Sequence, residues 1–231
     1  MRAIPLNGPA FLRRFAWVFL LPLLASSGPA AEKWVVVGWN NLGMHCMDAD
    51  YSVVSILPPY NTLHAQVVYS TGTTSADMVT TLKTGADGYR VTYEAVADPG
   101  GSINKTSVGK TNFWTHAQAL FGIALAPDKG LAGTSMPGAA NTPQSFSWDA
   151  SNDCFTAEGI PIVPTDDANK KNYYQMLRLK AYDATNTLRA QADVAVPVSD
   201  EMDCRACHAS NAKRNDARPY GGWVGDANPE R

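Results

Sequence analysis

Period-two alternation of apolar and polar residues recurs in four short stretches of this chain, and nothing else constrains its fold as much. Leu63, Ala65, Val67 and Tyr69 fall on one side of an extended segment, with His64, Gln66 and Ser70 on the other. Tyr89, Val91, Tyr93 and Ala95 repeat the arrangement against Arg90, Thr92 and Glu94. Leu177, Leu179 and Ala181 alternate with Arg178 and Lys180, and Leu188, Ala190, Ala192, Val194 and Val196 with Arg189, Gln191 and Asp193. Successive strand side chains point to opposite faces, so each stretch predicts a strand with one face buried and one wet. The polar link Thr185-Asn186-Thr187 predicts that the last two strands form a hairpin.

Three other segments complete the fold expectation. Trp34-Val35-Val36-Val37-Gly38-Trp39 is apolar throughout and reads as a strand buried on both faces. Phe113, Ala117 and Leu120 fall at helical spacing, which predicts a short helix over residues 112–121. Residues 126–169 are rich in Pro, Gly, Asn and Asp and read as a long irregular excursion. The chain has 231 residues, 45% of them apolar, enough to bury a real core. The expected architecture is mainly β: a β-sandwich-like domain over residues 32–198 with one short helix, then a C-terminal segment over 199–231. That segment should open as a short helix capped by Ser199 or Asp200, with Asp200, Glu201 and Asp203 in its acidic first turn.

Within that last segment lies Cys204-Arg205-Ala206-Cys207-His208, a C-x-x-C-H pentapeptide. Cysteines at this spacing reach both vinyl groups on one edge of a haem, and the histidine that follows can turn under the ring to ligate iron. The expectation is haem c, with Cys204 and Cys207 as thioether anchors and His208 as the proximal axial ligand. A thioredoxin-like redox pair uses C-x-x-C too, but in a βαβ setting that is not found here. Half a zinc site would need a second C-x-x-C or a paired histidine motif, and the sequence has neither.

Covalent haem attachment requires an oxidising compartment, and the N-terminus supplies the address. Residues 1–31 hold no acidic side chain, carry Arg13 and Arg14 ahead of an apolar run over 15–25, and end in small residues. This predicts a Sec signal peptide cleaved after Ala30 or Ala31, a periplasmic or secreted protein, and no membrane span in the mature chain. Cleavage leaves 16 basic against 21 acidic side chains, a formal charge of −5. Nucleic acid is therefore not the expected partner, and redox partner proteins are.

Donors for the second axial position must lie upstream, because neither His nor Met follows His208. Met44-His45-Cys46-Met47 groups several donors on an expected loop, which makes His45 or Met44 the favoured distal ligand; Met47, His64, His116, Met136 and Met202 are the remaining candidates. Five-coordinate iron, or a ligand from outside the chain, is the competing expectation. Cys46 and Cys154 are left over, and in an oxidising compartment their simplest fate is a disulfide, with a thiolate ligand role for Cys46 as the alternative.

The run over residues 39–48, Ser55-Ile56-Leu57-Pro58-Pro59-Tyr60-Asn61-Thr62-Leu63-His64, and Val196-Pro197-Val198-Ser199-Asp200-Glu201-Met202-Asp203 leading into the pentapeptide resemble a group of poorly characterised bacterial exported, multihaem-like c-type cytochromes. The resemblance spans most of the mature chain. Members of that group continue further and carry additional haem-type cysteine motifs, so the resemblance implies an N-terminal portion that belongs with a C-terminal haem region. It implies no substrate. Three functions remain open on the sequence: an electron-carrying cytochrome, a haem enzyme of peroxidase type with an open sixth position, and a binding or assembly module of a larger electron-transfer complex. No catalytic residue pair is evident, and the electron carrier is the leading expectation.

Overall fold

The computed structural model of the chain describes residues 32–52, 55–72 and 78–202. Its elements run β1 (Lys33–Asn40), β2 (His45–Asp48), β3 (Asn61–Thr71), β4 (Val79–Lys83), β5 (Arg90–Val96), α1 (Phe113–Phe121), β6 (Gln144–Ser145), β7 (Ser147–Asp149), β8 (Cys154–Ile160), β9 (Tyr174–Tyr182) and β10 (Leu188–Met202). The first sheet has the order β1-β3-β8-β7, with β4 on the flank of β3; the second has the order β2-β10-β9-β5-β6. The mainly β, sandwich-like architecture with one helix is therefore the observed one.

The alternating stretches land where the period places them. Leu63, Ala65, Val67, Val91, Tyr93, Leu177 and Leu179 are fully buried, and they form one core with Phe113, Phe155 and Ile160. β9 and β10 pair antiparallel from Leu188↔Tyr182 to Pro197↔Tyr174, so the expected hairpin is present. Asn186 takes φ 67° in its turn, where Asp183 accepts backbone hydrogen bonds from Thr185 and Thr187. α1 buries Phe113 and Ala117 and ends at Gly122, whose φ of 71° lets its N–H reach the Gln118 carbonyl at 3.1 Å. The sheets pack tightly at Gly38 of β1: a Cβ there would lie 2.3 Å from Leu179 Cδ1 and 2.7 Å from Val194 Cγ2.

Four expectations are corrected. β1 is buried on one face only: Val36 is inside, while Val35, Val37 and Trp39 are 50%, 48% and 37% exposed. Strand β8 lies inside the stretch read as irregular, pairing with β3 on one side and β7 on the other. Residues 45–48, read as a loop, form β2, which pairs parallel with β10 in the register His45↔Val198, Ser199↔Cys46 and Met202↔Asp48. Consequently Ser199 and Asp200 cap no helix; they belong to β10, which passes residue 198 and runs to Met202, with Asp200 paired to Lys171. The signal peptide over 1–31 and the C-x-x-C-H residues lie outside the described residues. Among those described, no helix is long and apolar enough to cross a membrane.

Candidate functional site

β10 delivers the chain to Met202, two residues before Cys204, so the candidate site is built where β2, β10 and the loop over residues 55–60 meet. A parallel pair cannot be closed by a tight turn. Here 149 residues intervene between the end of β2 and the Val198 that faces its first residue.

Asp48, at the end of β2, organises the loop beside it. Its buried carboxylate accepts hydrogen bonds from the backbone N–H of Ile56 at 2.7 Å and of Leu57 at 2.9 Å, and from the Ser55 hydroxyl at 3.2 Å. The Asp48 N–H in turn reaches the Leu57 carbonyl at 3.0 Å. Tyr51 is fully buried below this turn, donating its hydroxyl to the same Leu57 carbonyl at 3.0 Å, and burial pushes its phenol well above the ordinary range.

His45 and Met44 differ sharply in what they offer. The His45 ring is buried, lies 3.8 Å between centroids from the Tyr60 ring, and places Nε2 3.1 Å from the Pro58 carbonyl. Burial lowers its pKa, against the opposing hydrogen bond to Pro58, so the ring is held toward its neutral form. With Nε2–H donating to that carbonyl, ligation of iron through Nε2 would cost this hydrogen bond. Met44 is 39% exposed at the mouth of β2, and Leu42 beside it is exposed as well. An exposed thioether one residue ahead of the strand fits an axial donor without dismantling anything. Met47 is buried in the core and Met136 likewise, so both act as packing.

Around the corner from His45, Pro58, Pro59, Tyr60, Leu131, Ala132 and Gly159 line a cavity of about 200 Å³ with Glu158 at its rim. The backbone passes close behind Gly159: a Cβ on Gly130 would lie 2.2 Å from the Gly159 carbonyl oxygen.

The remaining expected donors are scattered. His116 is half-buried on α1, and His64 lies on β3 in the first sheet. The disulfide expectation is corrected: Cys46 and Cys154 are free thiols, one in the second sheet and one in the first, and Cys154 Sγ faces His64 Nδ1 at 3.7 Å. Cys46 pairs in register with Ser199. Sequence reasoning missed Asp48 as the organiser of the loop, although an aspartate eight residues ahead of an Ile-Leu-Pro-Pro run is a usable signal for an Asp-anchored turn.

No family model, no curated protein and no solved structure matches this chain.

Proposed function

We propose that the chain is an exported c-type cytochrome that carries single electrons between redox partner proteins in the periplasm or outside the cell. The observation that carries this reading is the C-x-x-C-H pentapeptide at residues 204–208, behind a leader with the features of an export signal. Haem c, when bound, supplies a one-electron couple whose potential follows from its axial ligands and burial. Cys204 and Cys207 would hold the haem by thioether bonds and His208 would ligate its iron. Met44 is the distal donor that the surroundings of β2 favour over His45.

Support comes from how the chain approaches the motif. The last described residue, Met202, is in register with Asp48, and the motif begins two positions later in the sequence. The ion pair of Asp200 with Lys171 and the pairing with β2 hold the end of β10 in the second sheet.

A second reading is favoured by one observation: the described residues bury a two-sheet core of their own. That core suits a binding or assembly module for a larger electron-transfer complex. Expression of the full chain with c-type maturation machinery, followed by denaturation and acid-acetone extraction, decides between them. The cytochrome reading expects the red colour to stay with the polypeptide, a mass increased by one haem, and loss of both in C204S/C207S. Haem-free protein with an intact thermal transition replaces that reading with the module.

A further inference from the structure

The cavity beside Tyr60 is framed by a break in the register between β3 and β8. Asn61 pairs with Ile160 and Leu63 with Ala157, so Thr62 alone stands opposite both Glu158 and Gly159. Two residues against one make a β-bulge, a device that bends a strand and re-aims a side chain. Gly159 takes φ 66° there, and its N–H donates to the Thr62 hydroxyl oxygen at 3.1 Å. Glu158, the other bulge residue, is exposed at the rim of the cavity.

The loop before β3 supplies a second wall. Pro58 and Pro59 have no N–H to leave unpaired, so their backbone can line an apolar space without an orphan donor. Leu131 and Ala132 add further apolar surface, and Tyr60 adds an aromatic ring.

Size and charge together select what this space would take. Its volume is about 200 Å³, and an apolar cavity of roughly 150 Å³ takes up benzene, so one six-membered ring fits. No Lys, Arg or His lines it, which disfavours carboxylates and phosphates. Glu158 belongs to none of the ion pairs among the described residues, so its carboxylate meets a ligand uncompensated. The π face of a tyrosine ring also attracts a cation. His45, its ring 3.8 Å from that of Tyr60, is buried and held toward the neutral form by that burial, so it sets no positive charge behind Tyr60. Thr62 lines the cavity too, and its hydroxyl oxygen keeps a second lone pair beyond the bond from Gly159.

We propose that this cavity binds a small primary ammonium compound built on one six-membered ring. The ring packs against Pro58, Pro59 and Leu131, and the ammonium group is directed to the Glu158 carboxylate and the Tyr60 ring. The site does not depend on the haem assignment.

The test is a titration of the ¹⁵N-labelled full chain with benzylammonium, followed by amide chemical shifts, with benzyl alcohol and benzoate as the neutral and anionic comparators. Benzylammonium should give saturable shifts centred on residues 60–62, 131–132 and 158–159. Benzyl alcohol should bind about 3–30-fold more weakly, having lost the ion pair and the cation–π contact, and benzoate should not saturate. Glu158→Gln, a change at an exposed side chain, should weaken benzylammonium toward the alcohol and leave the alcohol unchanged. Ala132→Phe, also at an exposed position, adds bulk to the lining and should weaken both. Equal binding of amine and alcohol, saturable binding of benzoate, benzylammonium binding unchanged in Glu158→Gln, or no saturable shift in these residues overturns the proposal. The n-butylammonium ion carries the charge of a lysine side chain without the ring and should bind more weakly than benzylammonium. Binding as tight or tighter would assign the site to a lysine of a protein partner and overturn the small-ligand reading.

Discussion

His45 and Val198 face each other across a parallel strand pair, and the His45 ring, 3.1 Å from the Pro58 carbonyl, ties that pair to the loop that precedes β3. One side chain thus links three segments at the end of the second sheet from which the pentapeptide departs. Its burial has a consequence for stability. The folded state holds His45 toward the neutral form, whereas the unfolded chain protonates it at the ordinary value of 6.5.

A group whose folded pKa lies below its unfolded one contributes no pH dependence above the unfolded value, where both states are neutral. As pH falls through 6.5 the unfolded state takes up a proton that the folded state resists, and stability declines until the folded pKa is passed. The denaturation midpoint should therefore fall with a one-proton slope below pH 6.5. His45→Gln should lack that part of the slope. Urea melts of both proteins between pH 7.5 and 5 read the difference, and superimposable pH profiles would contradict the account.

Asp48→Ala should destabilise by about 1–3 kcal/mol, because it strips the Ile56 and Leu57 N–H groups and the Ser55 hydroxyl of a charged acceptor. Asp48→Asn keeps one acceptor oxygen and should cost less. Equilibrium denaturation measures both. A change for Asp48→Ala below about 0.5 kcal/mol would mean that the loop satisfies its donors without it.

The strands that could be read from the sequence are those whose partners lie on one buried face. Leu63, Ala65 and Val67 declare themselves by period because their neighbours His64 and Gln66 are polar. β1 misleads for the converse reason: Val35, Val37 and Trp39 are as apolar as its inward residues, so hydrophobicity cannot tell the open face from the closed one. β8 was hidden among turn formers, preceded by Asp153 at φ 49° and carrying Gly159 at φ 66° within it. β2 carries no local signal at all, since its four residues become a strand only by pairing with residues beyond 197. Of the candidate site, the motif and its donors were legible as residue types. That His45 is already engaged and Met44 exposed was not, because both facts depend on Pro58 and on the course of β10.

Gly38→Ala tests the tight packing of β1 against the second sheet. The added methyl would lie 2.3 Å from Leu179 Cδ1, and Leu179 is fully buried and has little room to give. Overpacking of this kind costs about 1–3 kcal/mol. A thermal melt should show a lower midpoint with an unchanged far-ultraviolet spectrum. A neutral result would show that Leu179 finds another rotamer at no cost.

Met44→Ala and His45→Ala should separate along two different readouts once the full chain carries haem. Met44 is exposed and makes no packing contribution to the core, so its replacement should leave stability within about 0.5 kcal/mol while altering the visible spectrum if its thioether ligates iron. His45 is buried against Tyr60 and bonded to Pro58, so its replacement should lower stability by about 1–3 kcal/mol and leave the ligand-field bands in place. Visible and near-infrared spectra of the ferric and ferrous forms, with denaturation curves on the same samples, give both quantities. A spectrum changed by His45→Ala but not by Met44→Ala would invert the assignment and require the Pro58 hydrogen bond to open when haem is attached. A spectrum unchanged by either would place the sixth ligand elsewhere than on the mouth of β2.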